Sequence, residues 1–281
     1  MAADLPAAQI FEVTAKGVKL RVWRQGEGAH LVLLHGFPET IAGWREVLPR
    51  LAERFCVHAF DWPGMGGSSA PWPFGYNPLG LGELLLAFLD ASGIDRAHLL
   101  GVDIGMPPAL FVAATQPQRV HRLIVGDGPG LFRPGLRGLP IVALTSRFGG
   151  SMVRAMSLAP HLAARRTFRL GGTTRADRVL LDAAALNLSR PRVVGAVFRD
   201  IVRDLATVEP LLATIRAPTL VLWGGRDRLV KPRMGEEVQR AIPGARLEIV
   251  EDAGHFVHLD RPDVFAQRVL EFLGGDAVGK R

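Results

Sequence analysis

An α/β protein with a mostly parallel central sheet is the fold class this sequence predicts, on three observations. Short apolar runs recur along the chain, segments of helical length lie between most of them, and one long stretch breaks the alternation with helical patterns alone. Strands separated by helices favour parallel pairing, because a parallel crossover needs a dozen or so residues of connection. Val18 to Trp23 alternates and carries β-formers, so it reads as an edge-like strand. Leu31 to Leu34 is a continuous apolar run between Gly28 and Gly36, the pattern of a strand buried on both faces. Cys56 to Phe60 is another, stopped by Asp61-Trp62-Pro63-Gly64. His98 to Val102, Leu123 to Gly126, Thr219 to Trp223 and Leu247 to Val250 complete the set. Helix-length patterns cover Ala42 to Glu53, Leu79 to Ser92, Pro107 to Thr115, Arg233 to Ala241 and Val264 to Leu273.

Residues 131–210 carry no convincing strand, but Asp177 to Leu188 and Val193 to Leu205 show helical spacing. Residues 1–130 and 211–281 are therefore expected to form the core, with 131–210 inserted as a helical cap. Open α/β sheets bind ligands outside the carboxyl ends of their strands, where such a cap would lie.

Composition narrows the function classes. The 281 residues are 48% hydrophobic and 22% charged, which is globular and excludes a largely disordered chain. A single cysteine, Cys56, excludes a disulfide framework and a thiolate cluster, and fits a reducing compartment. No apolar run approaches the roughly 18 residues of a membrane span, and Met1 to Ile10 lacks the pattern of a secretory signal. A soluble cytoplasmic protein is expected. The net charge of +7 is concentrated in residues 131–210, which hold Arg but no Lys. These arginines read as a solvated helical face and not as a nucleic-acid or membrane surface. A small-molecule substrate is the expected partner, and the sequence leaves a homo-oligomer open.

Three motifs carry the chemistry. His98 to Val102 runs into Gly101-Val102-Asp103-Ile104-Gly105, with small residues two before and two after the centre. That is the spacing of a sharp strand-to-helix turn that exposes its central side chain. Pro107 and Pro108 suit the first helical turn that follows. The central residue is Asp, which decides the reaction class. A carboxylate is ionised at neutral pH and needs no base to activate it. Attack on an acyl carbon would give a mixed anhydride, whereas attack on a saturated carbon gives an ordinary ester. Epoxides and alkyl halides are thus the expected electrophiles.

His35-Gly36-Phe37-Pro38 follows a buried strand and can aim the N–H of Phe37 at this turn. With the N–H of Ile104 it would complete a two-donor oxyanion hole; His35 itself reads as structural. Asp252-Ala253-Gly254-His255 follows the last strand and supplies a base to activate water. His258 lies three residues on, entering a helix. The acid that orients His255 is Asp227, in Trp223-Gly-Gly-Arg-Asp227, or else Asp127, which also follows a strand end. Nothing in their context singles out the remaining histidines, His161 excepted.

His35-Gly-Phe-Pro38, Asp61-Trp-Pro-Gly-Met-Gly66, the turn at Asp103, Asp227 and Gly254-His255 together resemble the α/β-hydrolase superfamily, over about Val18 to Leu273. The Asp nucleophile with its His-Gly-Phe-Pro loop is most similar to the epoxide hydrolase branch, with haloalkane and fluoroacetate dehalogenases as nearest relatives. The resemblance implies the α/β-hydrolase fold, with helices on both faces of the sheet and an inserted cap. It also implies an alkyl-enzyme ester on Asp103, an Asp103–His255–Asp227 triad and no metal or cofactor.

Epoxide hydrolases of this kind usually protonate the leaving alkoxide from cap tyrosines. Here the one tyrosine, Tyr76, precedes the cap, and His161 is the cap's own candidate acid. Haloalkane dehalogenases usually place a Trp after the nucleophile, where this chain has Ile104. Fluoroacetate dehalogenases usually place arginines there, and Met106 to Leu110 holds none. Trp44 and Trp62 are further candidates for pocket walls or donors. A dehalogenase is the first alternative. The second is a binding protein that keeps the hydrolase shell, which an Asp103 distant from His255 would favour.

Overall fold

The computed structural model describes residues 8–129, 149–173 and 175–274. Eight strands form one sheet: β1 (Gln9–Ala15), β2 (Val18–Gln25), β3 (His30–Leu34), β4 (Cys56–Phe60), β5 (Ala97–Val102), β6 (Val120–Gly126), β7 (Thr219–Gly224) and β8 (Arg246–Val250). Their order is β1-β2-β4-β3-β5-β6-β7-β8; the β1–β2 and β2–β4 pairings are antiparallel and the others parallel. Strand alternation sorts the apolar runs into two cores. Leu31, Leu33, Leu100, Ile124 and Leu220 face α1 (Leu48–Leu51) and a C-terminal helix, Pro262–Gly274. Val32, Leu34, Leu99, Val125 and Val221 face the other layer, which includes α2 (Pro78–Ala91) and α3 (Met106–Thr115).

Among the described residues, four α-helices lie between β6 and β7: α4 (Gly149–Leu158), α5 (Pro160–Leu170), α6 (Arg178–Leu188) and α7 (Pro191–Asp204). They dock on the loops that leave β3 and β4. The buried Asn187 on α6 donates to the carbonyls of Pro38 (2.9 Å) and Glu39 (2.7 Å) and accepts from the Gly66 N–H (2.8 Å). Phe198 on α7 meets Phe37 edge to face, at 5.3 Å between centroids. Arg165, Arg166 and Arg169 on α5 are exposed, as a solvated face requires. The first part of the expected cap, residues 131–148, lies outside the described residues. After β7 come α8 (Pro232–Ala241), α9 (Val257–Asp260) and α10 (Pro262–Gly274). Among the described residues, no helix is long and apolar enough to cross a membrane.

Two expectations need correction. Val18 to Trp23 is not an edge strand: β1 covers it, joined by a turn at Lys16 and Gly17, both with positive φ, the conformation that a tight two-residue hairpin demands. β1 escapes a burial-based reading because Ile10 and Phe11 stay exposed. The helix expected over Ala42 to Glu53 is instead a 3-10 turn, Ile41–Trp44, followed by the short α1. Pro49 enters α1 in its first turn, where its missing N–H is tolerated but a continuing helix is not.

A polar cluster closes the α2-side core at the amino-terminal end of the sheet. His58 is buried, and burial, then the neighbouring His30 and Arg24, push it down to about 3, so its imidazole is neutral at physiological pH. His30 is pushed down as well, first by burial and then by Arg24.

Candidate active site

Asp103 directly follows β5 and opens the 3-10 turn Asp103–Gly105 that leads into α3, at φ 47°. A non-glycine residue held there is uncommon and is paid for by its surroundings. Two glycines make the turn tight enough. A Cβ on Gly101 would come within 2.3 Å of the Gly105 carbonyl oxygen, and one on Gly105 within 2.4 Å of the Leu34 carbonyl oxygen. The turn therefore packs backbone to backbone against the end of β3.

That approach brings the loop after β3 onto the Asp103 carboxylate. The N–H of Phe37 donates to Oδ1 at 3.0 Å and the N–H of Ile104 donates to the same oxygen at 2.5 Å. The second oxygen, Oδ2, lies 3.0 Å from Nε2 of His255. Nδ1 of His255 lies 2.8 Å from Oδ2 of Asp227. The Asp103 side chain is 13% exposed, whereas His255 and Asp227 are sealed at 1% and 0%. One carboxylate is thus open to a ligand, and the imidazole behind it is held by a second that is not. The shell of a binding protein would have no need of this arrangement, and the distance between Asp103 and His255 speaks against that alternative.

The electrostatics follow from the burial. Desolvation alone would push the His255 imidazolium down. The Asp227 charge, hydrogen bonds to Asp103 and Asp227, and the Asp103 charge outweigh it and hold His255 well above the ordinary histidine value. Asp227 has its other oxygen, Oδ1, fixed by the N–H groups of Leu229 (2.8 Å) and Val230 (2.9 Å), so the carboxylate is oriented before the imidazole meets it.

Asp127, the alternative acid, also lies in this cluster but touches the imidazole nowhere. Its Oδ1 accepts from the Gly224 N–H at 2.9 Å, and its buried Oδ2 has no partner. Burial and then the Asp227 charge drive it well above the carboxylate range, against the partial relief of His255 and the Gly224 N–H.

Several candidates are placed elsewhere. Tyr76 is buried and its hydroxyl donates to the Pro63 carbonyl at 2.8 Å. Burial, offset by Arg190 and aided by Asp200, pushes it up to about 12, which makes it a weak acid with its proton already committed. His161 on α5 is exposed and pairs with Asp182 on α6 at 3.0 Å, at the surface. Trp44 lies in the core on the α10 side, stacked on His258 at 4.4 Å, and does not line the site. Trp62 is buried with its indole N–H on the His35 carbonyl at 3.0 Å, so it has no free donor. His35 is structural as expected, with its Nε2 accepting from the Trp62 N–H at 3.2 Å.

A further pair was missed. The buried Glu39 receives the Gly36 N–H on Oε2 at 3.3 Å, and its Oε1 lies 2.8 Å from Nε2 of His258. The pair braces the loop that presents the Phe37 N–H. The position of Glu39 directly after His-Gly-Phe-Pro was the available signal; that His258, near the other end of the chain, would answer it was not.

The fold and this cluster, a carboxylate on a strand-to-helix turn facing a buried imidazole, are those of a hydrolytic enzyme. The alpha/beta hydrolase family model matches residues 31–268, and the chain belongs to that family. A 2-hydroxy-6-oxononadienedioate/2-hydroxy-6-oxononatrienedioate hydrolase of Klebsiella pneumoniae is 28% identical over 260 residues, covering 88% of both chains. A pimeloyl-[acyl-carrier protein] methyl ester esterase of Edwardsiella ictaluri is 30% identical over 259 residues, covering 88% of this chain and 94% of the esterase. Among solved structures, epoxide hydrolase A of Mycobacterium thermoresistibile superposes with a TM-score of 0.82 at 25% identity, covering 96% of this chain and 99% of that one.

Two predictions follow from the geometry. Glu39 and His258 should be energetically coupled. Glu39→Gln, His258→Gln and the double variant, compared by chemical unfolding, should give a coupling of about 1–3 kcal/mol, and additive losses would contradict the brace. Asp127 favours its protonated form when folded. Its stabilisation is therefore present below the unfolded carboxyl value of about 4 and is lost as pH rises through its raised folded value. Asp127→Asn keeps an oxygen for Gly224, so its stability relative to wild type should improve steadily from about pH 4 upward. A difference that does not change with pH would show Asp127 to be an ordinary carboxylate.

Proposed function

We propose that this enzyme hydrolyses an alkyl electrophile, an epoxide before any other, through an ester formed on Asp103. The observation that carries this reading is the placement of both N–H donors on Oδ1 of Asp103 itself. In acyl transfer such donors must be free to receive the substrate's carbonyl oxygen. Here they hold the nucleophile's own oxygen. That leaves Oδ2 to attack a saturated carbon, and Oδ1 becomes the carbonyl oxygen of the resulting ester. When water adds to Cγ, the developing oxyanion is Oδ1, already between its two donors. Losing one such donor typically costs roughly 3 kcal/mol of transition-state stabilisation.

The protons balance around His255. At rest its raised affinity favours the imidazolium, with Nε2–H at Oδ2 of Asp103. Oδ2 attacks an epoxide carbon, the ring C–O bond breaks, and the alkoxide takes the Nε2 proton. The neutral imidazole then removes a proton from water as that water attacks Cγ. The Cγ–Oδ2 bond breaks, the departing alkoxide takes the proton of the water-derived hydroxyl on Cγ and leaves as the diol, and the Asp103 carboxylate with the His255 imidazolium is restored. Esterification also removes the Asp103 charge, one of the influences that raise His255, so the imidazole becomes a better base when it must act as one. Asp227 holds the Nδ1 proton and stabilises the imidazolium throughout. In this reading residues 131–210 are the cap that shapes access to Asp103, and residues 1–130 and 211–281 are the catalytic core.

A dehalogenase is the second reading. The observation in its favour is that neither Tyr76 nor His161 is offered to the site, since a halide leaves without a proton. Against it, Ile104 gives a departing halide no side-chain donor, and the resting imidazolium would first have to lose its proton to solvent.

Wild type mixed with a panel of epoxides and alkyl halides and quenched in acid within the first turnover should carry a covalent adduct on Asp103 visible by peptide mass spectrometry. The adduct mass identifies the electrophile, a retained hydroxyl marking the epoxide and a bare alkyl group the halide. An unmodified Asp103 across a panel that wild type turns over would overturn the proposal.

A further inference from the structure

We infer that His30, Cys56 and His58 form a zinc-binding site at the amino-terminal end of the sheet, away from the reacting residues. Strand register brings them together. His30 stands opposite Cys56 in the parallel β3–β4 ladder, and His58 follows Cys56 by two, so strand alternation turns all three toward the α2 layer. There the His58 ring meets Phe88 of α2 edge to face.

The separations suit a tetrahedral ion. Nδ1 of His30 is 3.1 Å from Nε2 of His58, which is 3.4 Å from Sγ of Cys56. All three atoms lie within 4.8 Å of one another. Zinc bonds of about 2.0–2.1 Å to nitrogen and 2.3 Å to sulfur, at tetrahedral angles, put neighbouring ligand atoms roughly 3.3–3.6 Å apart. The cluster also suits a metal better than it suits hydrogen bonding alone. Nε2 of His58 offers either a proton or a lone pair, yet it faces two neighbours at once. One hydrogen bond can satisfy one of them, whereas an ion at the centre takes a lone pair from each.

The surroundings supply what a site needs beyond its ligands. Nε of Arg24 on β2 donates to Sγ of Cys56 at 3.3 Å, an outer partner for the thiolate that zinc requires. His30 is only partly buried, which gives an entry path and leaves a fourth position for water. Binding would release the Cys56 thiol proton and staple β3 to β4, locking the sheet beside the antiparallel pair.

The test uses the full chain freed of metal with a chelator, then titrated with Zn2+ against a chromophoric competitor and separately with Co2+. One equivalent of zinc should bind, and cobalt should give a thiolate-to-metal charge-transfer band. Cys56→Ser should abolish that band and weaken zinc binding by more than about tenfold, the loss that even outer-sphere changes produce. His30→Gln, at a partly exposed position that should not disturb folding, should weaken zinc comparably. Zinc should also raise the melting temperature of wild type but not of Cys56→Ser. No stoichiometric uptake would overturn the inference, as would uptake that survives both substitutions without the band. Turnover at Asp103 is no part of the readout, so failure here leaves the alkyl-ester reading standing.

Discussion

Two backbone N–H groups converge on one oxygen of Asp103, and much of the molecule is arranged around that contact. One donor belongs to the turn that carries Asp103 and the other to a loop more than sixty residues earlier in the chain. They meet because β3 and β5 are neighbours in the sheet and because Gly101 and Gly105 let the turn press against the end of β3. Glu39 and His258 then fix the loop from behind, and Asn187 ties the same loop to the overlying helices. The left-handed backbone at Asp103 persists because all of this over-determines it.

Charge is the second constraint. Three carboxyl groups, Asp103, Asp127 and Asp227, influence a single buried imidazole. In a low-dielectric interior not all of them can be ionised against one positive charge at tolerable cost. The structure resolves this by role. Asp227 is hydrogen-bonded on both oxygens, Asp103 is partly solvated and held by two N–H groups, and Asp127 is pushed toward its neutral form with one oxygen left bare. Pairs of titratable groups driven apart by environment are a mark of acid–base chemistry.

The buried parallel strands were legible in the sequence, because a strand covered on both faces must be continuously apolar and glycines mark its ends. The grouping of Asp103, Phe37, Ile104 and His255 was legible for a related reason: each lies in a turn or loop that follows a strand, where backbone geometry demands recognisable residues. The choice between Asp227 and Asp127 was not, since both follow strand ends and only side-chain direction separates them. Tyr76, His161, Trp44 and Trp62 were chosen by residue type, and type does not say which way a side chain points. Glu39 with His258, and His30 with Cys56 and His58, depend on contacts between distant segments that no local pattern announces. β1 was invisible because its apolar residues remain exposed.

A single turnover in water carrying heavy oxygen tests the central claim most directly. If Oδ2 of Asp103 attacks carbon and water then attacks Cγ, the heavy isotope enters the Asp103 carboxylate, and the product takes its new oxygen from the protein. The peptide containing Asp103 should gain one heavy oxygen while the first product formed carries none from solvent. Heavy oxygen in that product, with an unlabelled Asp103, would mean that water attacks the substrate directly, and the nucleophile assigned here would be wrong.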